Sequence, residues 1–147
     1  MGFAWASSAA LSFVLTASPA FSGTFCDDLH SFAGGKSATL SLPNKDAAVA
    51  NCGQSLALYG ARSFHCNWSF AYRSASARLA FVRLLDALDS CLGPEQTLTN
   101  SGRVNHPDSY DLRLFTMGQG TAYASLKDKG GAQRTLVFLR IETASMP

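Results

Sequence analysis

Two periodic segments dominate the pattern of apolar and polar positions. Over residues 63–72 apolar and polar residues alternate, which is typical of a strand with one buried face. Over residues 75–92 the apolar residues recur at helical spacing, which predicts an amphipathic helix. Ser74 is a suitable N-cap for this helix, and the Gly93-Pro94 pair predicts its end.

Shorter apolar runs complete the pattern. They predict a short helix over 25–33 and strands over 38–42, 54–59, 111–117, 121–127 and 133–141. Glycine-rich turns join the last three strands, and an antiparallel meander is their simplest arrangement. The predicted fold class is therefore α+β: an antiparallel sheet with one main helix packed on one face, forming a single domain over 21–147.

The N-terminal segment has the features of an export signal. Residues 1–20 contain no charged residue, and their apolar run ends in the small residues Ser18-Pro19-Ala20. This pattern predicts a signal peptide over 1–20 and a periplasmic or extracellular protein. An uncleaved anchor is the alternative. After cleavage no membrane span is expected, because no second run approaches the ~18 apolar residues that a span needs.

Four cysteines fall in the predicted mature chain. An even number in an exported protein indicates disulfides, and the spacing is too long for a paired-cysteine zinc site. Along the strand Tyr72 and Cys66 are ~20 Å apart, and along the helix Ser74 and Cys91 are ~25 Å apart. A helix that folds back over its strand would bring these two cysteines to the same level. We therefore predict a Cys66–Cys91 bridge, which leaves Cys26 to pair with Cys52.

Composition and charge narrow the class of protein. The 147 residues are 47% hydrophobic, which favours one compact domain over a disordered chain. Twelve basic and ten acidic residues give a net charge of +2. This near-neutral balance gives no reason to expect a nucleic-acid partner.

The densest polar segment suggests an enzyme as an alternative. His106, Asp108 and Asp111 could hold a metal, or the histidine could act as a base, in a small secreted hydrolase or metal-dependent enzyme. One imidazole and two carboxylates are a thin ligand set, however, and a structural loop before a strand explains them better. The chain also has no G-x-S-x-G motif and no phosphate-binding loop before a helix. No catalytic residue, metal or cofactor is therefore assigned.

The last three strands suggest a binding surface. If their hairpins centre on Gln119 and Gly130, Phe115 pairs with Tyr123, and Tyr123 pairs with Val137. The face that packs against the helix then carries Leu112, Leu114, Ala122, Ala124, Leu136 and Phe138. The opposite face carries a partner-binding set of Arg113, Phe115, Met117, Tyr123 and Val137. Aromatic, methionine and arginine side chains are typical of interface cores. Cover by other parts of the chain is the alternative, and a one-residue change in the second turn would reverse the faces of the last strand.

These features together favour a small exported binding protein that acts by protein–protein contact. An inhibitor or immunity-type protein of the cell envelope is the most concrete version, because it combines small size, disulfide cross-links and no recognisable catalytic motif. A self-associating structural protein of the envelope is a further alternative, so a homo-oligomer stays open as a hypothesis.

Overall fold

A computed structural model describes residues 22–43, 49–56, 60–96, 110–118 and 120–143. The described residues form two helices, five strands and a short 3-10 turn at Gly130–Ala132. In chain order the helices and strands are α1 Ser22–Ala33, β1 Asn51–Leu56, β2 Arg62–Ala71, α2 Ala75–Leu92, β3 Tyr110–Met117, β4 Gly120–Lys129 and β5 Arg134–Thr143. Residues 38–42, which were predicted to form a strand, have no regular structure, although Leu40 and Leu42 are buried in the core.

The five strands form one antiparallel sheet in the order β1-β2-β5-β4-β3. The last strand, β5, therefore lies at the centre, with the β1–β2 hairpin on one side and the β3–β4 hairpin on the other. Together with the helices and two disulfides, this sheet confirms the predicted α+β class.

Both helices contribute to one core on a single face of the sheet. Ser74 caps the start of the α2 helix, because its hydroxyl accepts a hydrogen bond from the Ala77 amide at 3.2 Å. The buried residues of this helix are Ala77, Ala80, Phe81, Leu84 and Leu88. The α1 helix packs beside α2, and its Phe32 ring meets Phe64 of β2 edge to face at 5.9 Å. The core thus has a second helix in addition to the main helix that was predicted.

The predicted disulfide pairing is wrong. The structure joins Cys52 to Cys66 and Cys26 to Cys91, with Cα–Cα distances of 4.0 Å and 5.5 Å. Strand β1 begins at Asn51, earlier than predicted, so Cys52 lies directly opposite Cys66 in the β1–β2 register. The packing of α1 against α2 brings Cys26 to Cys91. The bridges therefore connect strand to strand and helix to helix, where the prediction had joined a strand to the main helix.

The register of the last three strands also differs from the prediction. Met117 pairs with Gly120, which leaves a two-residue turn between β3 and β4, so Phe115 lies opposite Ala122 and not opposite Tyr123. On the other side of β4, Tyr123 pairs with Arg140 and not with Val137. Each turn departs from the predicted one by an odd number of residues. Since side chains alternate between the faces of a strand, β4 is reversed relative to both neighbours.

A polar network fixes the corner between β2 and α2. Arg73, whose φ is 52°, donates from its amide to the Thr135 hydroxyl at 2.8 Å and from Nε to Asp128 Oδ2 at 3.0 Å. The Thr135 hydroxyl donates to Asp128 Oδ1 at 2.5 Å. Both Asp128 and Thr135 are buried. The network links the start of α2 to the end of the β4–β5 hairpin and satisfies a buried carboxylate.

Candidate functional site

The structure divides the predicted partner-binding residues between the two faces of the sheet. Phe115 and Val137 are 1% and 0% exposed and belong to the core on the helix-covered face. Met117 is partly buried and packs against the same core. Tyr123 lies on the opposite face, because its neighbours Ala122 and Ala124 point into the core. The prediction that Phe115, Tyr123 and Val137 share one face is therefore wrong, for the reason of register given above.

Arg113 is part of an ion-pair cluster at the edge of the sheet. Its Nε lies 2.8 Å from Asp111 Oδ1, and its NH1 lies 3.1 Å from both carboxylate oxygens of Glu95. The hydrogen bond that Arg113 donates to Asp111 is the largest of the effects that raise the pKa of Arg113 above its ordinary value. Gln96 extends the cluster, since its amide donates to the Leu114 carbonyl and its side chain bonds Thr116. These contacts attach the segment after α2 to β3.

Asp111, one of the three residues of the enzyme hypothesis, belongs to this ion-pair cluster. Both carboxylate oxygens of Asp111 accept hydrogen bonds from Arg113, which is a structural role. His106 and Asp108 lie outside the described residues. Within the residues that the structure describes, no three histidine, cysteine or acidic side chains are grouped so that they could hold a metal ion.

The sheet face turned away from the helices is the candidate functional site, and we call it the open face. It comprises the side chains of β2–β5 that alternate with the core-facing ones. Its large side chains are His65, Tyr110, Leu112, Leu114, Tyr123, Lys127, Lys129, Arg134, Leu136, Phe138, Arg140 and Glu142. Every one of them retains solvent exposure, and in the described parts of the chain neither helix packs against them.

Cations cover the aromatic rings of the open face. The Lys127 ammonium lies 4.4 Å from the ring centre of Phe138 and 5.4 Å from that of Tyr110. The Arg140 guanidinium lies 4.5 Å from the ring centre of Tyr123. Each such contact contributes about 0.5–1 kcal/mol at an exposed site and more when desolvated. The rings and the cations therefore stabilise one another's positions on the open face.

His65 extends this arrangement towards β1. Its imidazole stacks on Phe138, with ring centres 6.0 Å apart. On its other side the ring lies over Gly53, where a Cβ atom would come within 3.0 Å of the His65 Nε2 atom. A side chain at position 53 would displace the imidazole, so this glycine is part of the site. The alternation over 63–72 predicted the outward direction of His65, but no sequence signal indicated its contacts.

The open face carries more positive than negative charge. Burial, followed by repulsion from Lys129 and Arg140, lowers the pKa of Lys127 from its ordinary value of 10.5. Glu142 is the acidic side chain on this face and lies 3.4 Å from Arg140. Asp128, although it lies between two lysines in the sequence, points to the opposite face and pairs with Arg73. The ion pairs between described residues do not include Lys127, Lys129 or Arg134.

Sequence reasoning missed most of the apolar part of this site. It placed four apolar residues, Leu112, Leu114, Leu136 and Phe138, against the helix. They lie on the open face instead. The small residues Ala122 and Ala124 were correctly placed against the helix, but the two assumed turns put the wrong residues of β3 and β5 on the same face as them. In the observed register Phe115 lies opposite Ala122, and Val137 lies on the same face as both alanines, which gives the observed core.

Comparisons with known proteins add little to this description. No protein-family model matches the chain, and no curated protein matches it. A solved structure, CalU16 from Micromonospora echinospora, is similar over 68% of this chain and 71% of its own, with 17% sequence identity and a TM-score of 0.32. A similarity at this level assigns neither a fold family nor a function.

The described chain is thus an α+β protein with two internal disulfides and an aromatic, basic sheet face. Two internal disulfides suggest an oxidising, exported environment. No helix among the described residues combines the length and apolar character that crossing a bilayer requires.

Proposed function

We propose that this is a small exported binding protein that contacts a partner protein through the open face. An inhibitor or immunity-type role towards another exported protein is its most specific form. The observation that carries the proposal is the open face itself. It presents aromatic and aliphatic side chains on a five-stranded sheet, and no described helix covers them.

The arrangement of the rings supports binding. Residues that dominate interface energetics are enriched in tyrosine, tryptophan and arginine and are surrounded by other contacts that exclude water. Tyr123 and Arg140 form such a pair near the middle of the open face, and the Phe138 ring lies between Lys127 and His65. Side chains that are already ordered lose less conformational entropy on binding, which favours affinity.

The disulfides support the same proposal. The Cys52–Cys66 bridge fixes the two strands at one side of the sheet, and the Cys26–Cys91 bridge fixes the helix layer behind it. A scaffold cross-linked in both layers presents the open face in one shape. Rigidity of this kind lowers the entropy cost of binding a partner.

Self-association through the open face is less favoured. In a symmetric face-to-face dimer the same patch meets itself. Lys127, Lys129, Arg134 and Arg140 of one copy would then approach the same cations of the other, with Glu142 alone as an acidic counterpart. Like charges brought together at an interface oppose association.

The proposal is tested with purified protein as bait in an envelope extract of the source cells. Tyr123→Ala and Phe138→Ala change the open face, and Val82→Ala changes an exposed residue of α2 as the matched control. We expect a specific partner whose affinity for the Tyr123→Ala protein falls by about 2 kcal/mol, or roughly 30-fold in Kd, and is unchanged for Val82→Ala. Equal affinity for all four proteins would refute the proposal. Sedimentation of the bait alone would reveal self-association.

A further inference from the structure

We infer that the open face binds an acidic segment of its partner, whose carboxylates meet Lys127, Lys129, Arg134 and Arg140 and whose apolar side chains meet Phe138 and its neighbours. This inference rests on the proposed function and specifies the chemistry of the partner. It follows from the placement of the cations in the strand register.

The cations form a row along the β4–β5 pair. Lys129 pairs with Arg134 at one end of the open face, Lys127 lies one row further along, and Arg140 lies beside Tyr123. Residues 129 and 123 are six positions apart, which corresponds to ~20 Å along a strand. An extended peptide repeats its side chains with the same period, so a segment of about seven residues matches the row in length and can place carboxylates opposite the three register positions that carry cations.

The apolar residues lie beside this row. Leu136 is next to Lys127 in the register, and Phe138 is next to Ser125, which is buried. On the β3 side Leu112 and Leu114 continue the apolar area towards the sheet edge. An extended partner segment that alternates acidic and aliphatic residues points them to opposite sides, so it can lie with its carboxylates over the cations and its aliphatic side chains over the adjoining apolar area.

The energetic state of Lys127 favours an anionic partner. The side chain is half-buried, and its ammonium is repelled by Lys129 and Arg140, while the rings of Tyr110 and Phe138 provide only a weak counter-interaction. A carboxylate within hydrogen-bond distance would provide a full charge in a partly desolvated site, where such a contact is stronger than in water.

A single-stranded nucleic acid fits these observations less well. Proteins that bind one on a sheet stack its bases on the faces of aromatic side chains. Here Lys127 and His65 contact the Phe138 ring, and Arg140 lies over Tyr123. Bases would have to displace these side chains, whereas carboxylates can bind Lys127 and Arg140 where they are.

The test compares two variants with the same change in net charge. In the first, Lys127→Gln, Lys129→Gln and Arg134→Gln neutralise the open face. In the second, Lys36→Gln, Arg62→Gln and Arg83→Gln neutralise three cations elsewhere. The probes are a fluorescent peptide of about eight residues that alternates Asp and Leu, the same peptide with Lys in place of Asp, and an oligothymidine of about eight nucleotides. Fluorescence anisotropy measures binding, and circular dichroism confirms that each variant is folded.

We expect the acidic peptide to bind, its Kd to rise about tenfold or more in the open-face variant, and less than about twofold in the control. The basic peptide should not bind. If both variants lose the same affinity for the acidic peptide, the effect is one of net charge and the inference is overturned. Absence of binding by the acidic peptide would also overturn it. Preferential binding of the oligothymidine, lost in the open-face variant, would assign the surface to nucleic acid.

The two proposals fail in different ways. If the acidic peptide does not bind but a captured partner is lost with Tyr123→Ala, the acidic chemistry is wrong and the binding function stands. Binding of the acidic peptide could instead require the open-face cations while every captured protein binds Tyr123→Ala and Phe138→Ala with unchanged affinity. In that case the cation row binds acidic peptides, and the proposed protein-binding function is wrong.

Discussion

Replacing Phe115 by alanine tests directly which side of β3 faces the core. Phe115 is 1% exposed and lies opposite Ala122, beneath the helix layer. A phenylalanine buries about 150–250 Å², which at ~25 cal/mol per Å² corresponds to about 4–6 kcal/mol for the whole side chain. Alanine keeps part of this area, so we expect a loss of about 3–4 kcal/mol in the free energy of unfolding, within the range for buried Phe-to-Ala changes.

Its neighbour in the strand is the matched control. Leu114 pairs with Tyr123 on the open face and is only partly buried. Its replacement by alanine leaves no closed cavity, so we expect a loss of about 1 kcal/mol. Phe115→Ala should therefore be the more destabilising change by about 2 kcal/mol or more, although both residues are large, apolar and adjacent.

Urea denaturation of the oxidised protein, followed by circular dichroism, measures both losses. An unchanged m-value would show that the two variants unfold from the same compact state, so the midpoints can be compared directly. A shift of one residue in the β3–β4 register would exchange the environments of the two side chains. If Leu114→Ala is as destabilising as Phe115→Ala, or more so, the register and the definition of the open face are both refuted.

Three further predictions concern the cross-links, the sheet and the cation row. Non-reducing peptide mapping should recover Cys52 joined to Cys66, a bridge worth ~3 kcal/mol on the loop-entropy estimate, and Cys66 joined to a helix cysteine would contradict the structure. Gly120→Ala should lower the free energy of unfolding by about 2 kcal/mol in urea titrations, because the new Cβ would collide with the Glu142 carbonyl. The control Gly131→Ala, at a position with open space around it, should change this free energy by less than about 0.5 kcal/mol. Equal losses would contradict the close approach at Gly120. The folded-state pKa of Lys127 is lowered, so between that pKa and 10.5 the unfolded chain binds more protons than the folded protein. The wild-type protein should therefore gain stability relative to Lys127→Met as the pH rises through this window. A relative loss of stability would refute the lowered pKa.

The sequence was informative where a signal is local. The serine cap, the apolar stripe and the terminal glycine all predict the α2 helix from residues within or next to it. The structure has this helix over Ala75–Leu92, as predicted. Strand β2 was likewise predictable from its alternation, and its boundaries Arg62–Ala71 differ by one residue at each end. In both elements the pattern and the structure depend on the same contiguous residues.

The open face depended on turns, and there the sequence was ambiguous. The segment Gly118-Gln119-Gly120 is compatible with a hairpin turn of two residues and with one of three. The two turns differ in which side chains of β4 lie on the same side of the sheet as Phe115. The disulfides were missed for a related reason. Strand β1 is short, polar and exposed, so its start at Asn51 has no alternating pattern to reveal it. Such a strand is specified by pairing with β2, which is a tertiary property.

Because β5 is the last strand in the chain and the central strand of the sheet, we expect completion of the sheet to be a late step in folding. The β1–β2 and β3–β4 hairpins each form from residues close in sequence, but they meet only through β5, which pairs with both. The Thr143 hydroxyl bonds the Arg62 carbonyl across 81 positions of sequence. Until β5 inserts, β2 and β4 each expose an unpaired edge, and such edges promote association with other chains. A chain cut before β5 would therefore consist of two hairpins that lack a common sheet, and we expect it to aggregate instead of folding.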